Sequence, residues 1–238
     1  MRLNVKELLD FFDDKKDSCK GDANALMSIL GEDLNASVYK HFRGNTVEIL
    51  NESVTLNTKK GNGTRGKELD RWIVDKKNGR LYQCEIKNWA ATAIGGRQLK
   101  SGAGKKEIRK IATYQWNREM RNNFSKDHDH PNNVTKVLLT MRKPKDFRKL
   151  KVEPLLIYWA PVTPTKNGLK PLSVLPISSR DLGMEIKFSR LYIFSVSLYL
   201  RSLLRKGRRI IDLEMPNFEH RLKILAKFRN TLNYEMQI

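Results

Sequence analysis

The chain has 238 residues, 39% of them apolar, with four Trp, nine Phe and seven Tyr. That is enough for one large domain, or a core domain with an extension, and it excludes a disordered chain. The net charge of +20 calls for a polyanionic partner, with nucleic acid ahead of an anionic membrane surface or a ribosome.

Two cysteines, Cys19 and Cys84, argue against a disulfide framework and fit a reducing, cytoplasmic compartment. The first ten residues lack the uninterrupted apolar run of a secretory signal. The most apolar stretch, Leu191 to Leu204, carries Ser195, Ser197, Arg201 and Ser202 and is too short and polar to span a bilayer. A soluble protein without a membrane partner is expected.

In chain order, residues 5–14 read as a short amphipathic helix with Leu8, Leu9, Phe11 and Phe12. A second helix runs from Asp22, as its cap, to about His41. Leu26, Leu30, Leu34 and Val38 recur at four-residue steps as one buried stripe. Gly31 is placed to bend or split it, and Gly44 to end it. Thr46–Leu50 and Ser53–Leu56 read as a first strand with a bend at Asn51-Glu52, followed by a Gly- and Lys-rich loop over 59–66.

Residues 69–87 then read as strand, turn and strand. Asn78-Gly79 is a preferred centre for a two-residue hairpin turn because both residues tolerate positive φ. With Lys77 facing Arg80, Asp70 lies opposite Lys87. With the turn centred on Lys77-Asn78, Asp70 lies opposite Glu85. Either register brings Asp70, Glu85 and Lys87 within roughly 5–8 Å across the strands. Alternation puts Glu85 and Lys87 on one, polar face and Tyr82, Cys84 and Ile86 on the other, buried one.

Two carboxylates suit Mg²⁺, with Mn²⁺ as the alternative, and the Ile86 carbonyl offers a third oxygen. Lys87 is placed to orient the attacking water or stabilise phosphate charge. The chemistry such a set supports is metal-assisted phosphodiester hydrolysis.

In Asp70 and Glu85-Ile86-Lys87 the chain resembles the PD-(D/E)xK nuclease superfamily, although Leu69 stands where that pattern has proline. The resemblance covers about residues 22–160. It implies an α/β fold of restriction-endonuclease type, an αβββαβ core whose mixed central sheet is flanked by helices. It also implies Mg²⁺-dependent cleavage of DNA before RNA, in a restriction, repair, recombination or mobile-element role. Within that family a further acid comes from the first helix: Glu32 matches best, with Asp33 and Glu48 as alternatives. Gln98 and Tyr114 match a Gln and a Tyr of some branches only loosely. A second acid-x-lysine, Glu185-Ile186-Lys187, lacks a hairpin partner strand carrying an acid and reads as a surface strand.

Lys105 to Phe124 reads as a helix with Ile108, Ile111, Ala112, Gln115 and Met120 near one face. Lys100, Lys105, Lys106, Arg109 and Lys110 form a basic cluster suited to phosphates. A second basic cluster runs from Arg142 to Lys151, and His128-Asp129-His130 is a weak metal motif in a polar loop. Val134 to Met141 reads as a buried strand and Leu155 to Trp159 as another apolar run. Four prolines mark 161–188 as a boundary, after which Leu191–Arg205 and Pro216–Leu232 read as two helices. The expected division is a nuclease core over 1–160 and a basic, mostly helical extension over 161–238. That extension would grip DNA, form a homodimer or dock a DNA-processing partner. The main alternative is a non-catalytic nucleic-acid-binding protein.

Overall fold

The computed structural model describes residues 1–13, 20–50, 54–55, 68–88, 99–121, 133–139, 142–164, 168–178 and 187–231. Its centre is a mixed six-stranded sheet. Strands β2 (Val47–Leu50), β5 (Arg71–Asp75) and β6 (Arg80–Lys87) form an antiparallel meander. Strand β7 (Lys151–Tyr158) lies parallel to β6, and β9 (Arg190–Ser195) parallel to β7. Strand β8 (Leu172–Pro176) closes the far edge antiparallel to β9. Two short ladders stand apart: β1 (Arg2–Asn4) with β10 (Ile210–Asp212), and β3 (Val54–Thr55) with β4 (Glu68–Leu69).

Alternation along the central strands feeds two cores. Tyr82, Cys84, Ile86, Leu155, Ile157, Tyr192 and Phe194 face three helices: α1 (Val5–Asp13), α2 (Lys20–Arg43) and α5 (Val196–Arg205). These helices contribute Val5, Leu9, Leu34, Val38, Tyr39 and Leu200. On the other face Leu81, Leu156, Tyr158, Leu191 and Ile193 meet Trp72 and Val74 of β5. The short helix α4 (Asn133–Leu138) covers them with Val134, Val137 and Leu138. A fully buried Leu or Ile side chain contributes about 1.5–3 kcal/mol of transfer free energy, so the two-sided central strands anchor the fold.

Several expected elements change under this packing. The run at 134–141 is a helix over 133–138, not a strand, and β7 takes the place of the sheet's next strand. Val134, Val137 and Leu138 are spaced to share one helical face, and the Gln83 side-chain amide donates to the Val137 and Leu139 carbonyls at that helix's end. The stretch 191–205 is not one helix: its first part is β9, and Ser195 caps α5 by accepting from the Leu198 amide. Packed between β7 and β8, β9 is buried on both faces, so its sequence loses the alternation that marks a half-exposed strand. The C-terminal part is therefore more than a helical extension, because two strands of the main sheet lie beyond residue 160. A third helix, α3 (Lys105–Trp116), continues into a π-turn over Asn117–Arg121, and the last helix, α6, is Pro216–Thr231. Helix α2 ends at Gly44 (φ +78°), as expected, and continues through Gly31 without splitting.

Candidate functional site

The hairpin register decides how the acids meet. Arg71 pairs with Cys84 and Asp75 with Arg80, so a four-residue turn over 76–79 joins the strands. Asp70 lies just outside that ladder, at the bend before β5, where its amide bond to the Cys84 carbonyl sets it beside Cys84 and Glu85. The two-residue Asn78-Gly79 turn does not form. Asp75 takes up the Asn78 amide and side chain, which lengthens the loop, and Gly79 supplies the positive φ of 60°.

Asp70 sits at the bend between β4 and β5, where the chain leaves the main sheet. Its amide donates to the Cys84 carbonyl at 3.1 Å, and its Oδ2 accepts from the Ile86 amide at 2.6 Å. The carboxylate thus replaces the carbonyl that the diverging strand withdraws from the ladder. A strand residue presents its amide and carbonyl to the same edge, so the Ile86 carbonyl also points to the Asp70 side. Burial, then the neighbouring Glu85 carboxylate, push the Asp70 carboxyl up to about 7. The Ile86 amide and Lys87 oppose this rise, and Glu32 adds to it.

Glu85 is 0% exposed, and its Oε1 accepts from Lys87 Nζ at 2.5 Å and from Lys136 Nζ at 3.0 Å. Its Oε2 is buried with no hydrogen-bond partner among the described residues. The face carrying Gln83, Glu85 and Lys87 is thus not an exposed polar face. It is the floor beneath α4, with Gln83 holding the end of the helix that carries Lys136. Behind Glu85, the buried Tyr158 hydroxyl donates to Glu119 Oε2 at 3.1 Å. Burial, then Glu119, and further Glu85 hold that phenol well above its ordinary range.

Helix α2 approaches the end of β6 through Asn88. The Asn35 side-chain amide donates to Asn88 Oδ1 at 2.6 Å, and Gly31 leaves the space that Asn88 occupies. A Cβ on Gly31 would stand 2.6 Å from Asn88 Cγ, which is why glycine interrupts the stripe. This contact sets Glu32 within electrostatic reach of Asp70, and Arg71 Nη2 lies 3.9 Å from its Oε2. The two alternatives are engaged elsewhere. Asp33 pairs with Arg71 at 2.8 Å and Arg221 at 3.1 Å, and Glu48 pairs with Lys76 at 2.7 Å.

Comparison with known proteins gave no match to a family model, a curated protein or a solved structure.

The predicted residues divide into three groups. Asp70, Glu85, Ile86 and Lys87 come together as one cluster, with Glu32 beside it. Lys105, Lys106, Arg109 and Lys110 stand exposed on α3, opposite its buried face of Ile108, Ile111, Ala112 and Gln115, and Lys100 is exposed just before it. No described hydrogen bond or ion pair joins them to the carboxylates. Tyr114 is exposed, and Gln98, His128 to His130 and Glu185-Ile186 lie outside the described residues, as does Cys19. Sequence reasoning missed Lys136, Glu119 and Tyr158. Reading 134–138 with a helical period would have flagged Lys136, beside the apolar Val134, Val137 and Leu138.

Among the described residues no group of three or more His, Cys, Asp or Glu converges tightly enough to hold a metal, so Glu32 is a neighbouring charge rather than a third converged ligand. The paired acids nonetheless fit a hard cation. Glu85 Oε2 is an orphaned buried acceptor, and burial, then the Glu85 carboxylate, raise the Asp70 carboxyl to about 7, a rise that a divalent ion would offset. Mg²⁺ typically uses one or two carboxylates and keeps several waters, which is the donor set Asp70, Glu85 and the Ile86 carbonyl offer.

Proposed function

We propose that the protein is a divalent-metal-dependent nuclease of restriction-endonuclease type acting on the phosphodiester backbone of DNA. One observation carries this reading: two neighbouring carboxylates, half-buried Asp70 raised to about 7 and fully buried Glu85 with an orphaned oxygen, lie beside two lysines. Perturbed and under-satisfied buried acids cluster at functional sites. With β3, β4 and α4 set aside as additions to it, the order α2, β2, β5, β6, α3, β7 supports it, because it follows the αβββαβ plan that the resemblance implies. The charge of +20 fits a polyanionic substrate.

In this reading Asp70 and Glu85 hold Mg²⁺ or Mn²⁺. When bound, the ion supplies Lewis-acid polarisation of the scissile phosphate and of the attacking water. Asp70 binds as the ionised form. Lys87 and Lys136 lie on the Glu85 side of the site and stabilise the extra negative charge of the pentavalent transition state. The Ile86 amide fixes the Asp70 carboxylate in place, and in this reading the neighbouring Glu32 carboxylate accepts a proton from water.

The test is cleavage of supercoiled and linear DNA in Mg²⁺, Mn²⁺ and EDTA. Wild type is expected to cut only with metal. Asp70→Asn and Glu85→Gln should lower the rate by about 10³-fold, and Lys87→Ala by about 10²-fold. Cutting that survives Asp70→Asn, or a folded protein that binds DNA and never cuts it, would sink the reading in favour of a binding module.

A further inference from the structure

Away from the carboxylates, a cavity of about 580 Å³ opens between α1, the start of α3 and the end of α5. Five cations line it: Lys6, Lys105, Arg201, Arg205 and Arg209. No Asp or Glu lines it, and none of Asp70, Glu85, Lys87 or Lys136 does. Lys6 is neutralised by Asp10 at 2.9 Å. Lys105, Arg205 and Arg209 are exposed and make no ion pair among the described residues. Like charges gathered without counter-ions raise the local potential, and an anion seated among them relieves it.

The wall is built rather than incidental. The Arg201 side chain, 3% exposed, donates to the carbonyls of Leu99, Lys100 and Ser101. Asp10 accepts from the Ser101 amide and hydroxyl. The segment before α3 is thereby held between α1 and α5, and a site fixed in advance loses little entropy on binding. Ala103, Ile108 and Leu204 supply an apolar part of the lining. The volume falls within the roughly 300–1,000 Å³ of small-ligand sites.

We infer that this cavity is a second, non-catalytic site that seats one nucleoside phosphate, its phosphate on Lys105, Arg205 and Arg209 and its base or sugar against Ile108 and Leu204. The inference rests on the nucleic-acid side of the reading above and not on its metal chemistry. The nucleoside phosphate comes either from a nucleic-acid strand or as a free nucleotide, and the experiment separates the two.

The experiment measures fluorescence anisotropy of a 3′-labelled, 5′-phosphorylated single-stranded oligodeoxynucleotide in EDTA, with and without dATP as competitor. Arg205→Glu/Arg209→Glu is expected to weaken binding at least tenfold and to lower the slope of log Kd against log salt by about one. Lys76→Glu/Lys77→Glu, an equal charge change on the β5–β6 turn, should weaken it less than threefold. The milder Arg205→Gln/Arg209→Gln, checked by circular dichroism, guards against a folding defect. Competition by dATP that the arginine variants lose identifies a free nucleotide; strand binding untouched by dATP but lost in those variants identifies a strand. Equal weakening by both charge-reversal variants, or no binding of either probe, overturns the site. Because no cleavage is measured, failure here is distinct from failure of the nuclease reading.

Discussion

A carboxylate stands at each end of the β5–β6 hairpin, buried Asp75 at the turn and half-buried Asp70 just before β5, and the two are built in opposite ways. At the turn, Asp75 is 0% exposed and fully engaged: Arg43 Nη2 donates to it at 2.6 Å, and Asn78 donates both its amide and its side chain. Burial pushes that carboxyl up, but the Asn78 side chain, Arg43 and the Asn78 amide outweigh it and leave it below its ordinary value. At the open end, burial and Glu85 leave Asp70 at about 7, against one backbone donor. One acid repays its burial with hydrogen bonds and serves the fold. The other is left with its charged form disfavoured, which in the proposed reading a bound cation would relieve.

Exchanging the two acids for amides tests that contrast most severely. Asp75→Asn removes the charge that Arg43 and Asn78 share and is expected to destabilise the protein by ~3 kcal/mol in urea denaturation. The surviving folded fraction should cleave DNA at near wild-type rate. Asp70→Asn should do the reverse: lose cleavage yet gain about 1 kcal/mol of stability in EDTA at pH 8, since it removes a like-charge pair while keeping an acceptor for the Ile86 amide. Equal destabilisation by both would make Asp70 an ordinary structural acid.

The pH dependence of metal-free stability sharpens the same contrast. The folded carboxyl of Asp70 binds its proton more tightly than the unfolded one, whose pKa is about 3.9. Stability is therefore expected to fall as pH rises from about 4 to about 7, then level off. Each pKa unit corresponds to about 1.4 kcal/mol, and solvent screening at this partly accessible group reduces the total to ~2 kcal/mol. The Asp75 contribution has the opposite sign: present above the unfolded pKa, it is lost as pH falls through the lower folded value. Chemical denaturation across pH 3–8 should show the fall between 4 and 7 flattened in Asp70→Asn and kept in Asp75→Asn.

The smallest expected effect lies at the contact that brings α2 to the site. Gly31→Ala gains helix propensity of about 1 kcal/mol but drives a methyl into Asn88, and overpacking of this kind costs about 1–3 kcal/mol. A net loss of ~1 kcal/mol is expected, with cleavage reduced severalfold as Glu32 shifts. Unchanged cleavage would show that the α2 acid takes no part.

Much of the open end was legible because it is local. Glu85 and Lys87 lie on β6 and Asp70 immediately precedes its partner strand β5 across a short turn, and strand alternation settles that Glu85 and Lys87 share a face. The turn was harder. Asn78-Gly79 has the right residues for a two-residue loop, yet the Asp75 carboxylate caps Asn78 and selects the longer one. Lys136 was hard to read, because six residues are too few for the period to decide between helix and strand, and the Gln83 bonds and the facing sheet settle it as helix.

The sequence by itself determined the strand pair, its acid-x-lysine, the buried Leu34 and Val38 of α2, the basic face of α3 and the excess of positive charge, all properties of neighbouring residues. Among the described residues no helix is long and apolar enough to cross a membrane, in keeping with the interrupted apolar run at 191–204. Only the tertiary structure decided that β9 belongs to the sheet, that Glu85 is buried under α4 between two lysines, and that Lys105, Arg205 and Arg209 share one cavity. Each of those depends on contacts between residues distant in the chain. Burial, which sets both the Asp70 carboxyl and the helix-or-strand choice of a short apolar run, exists only once the layers have packed.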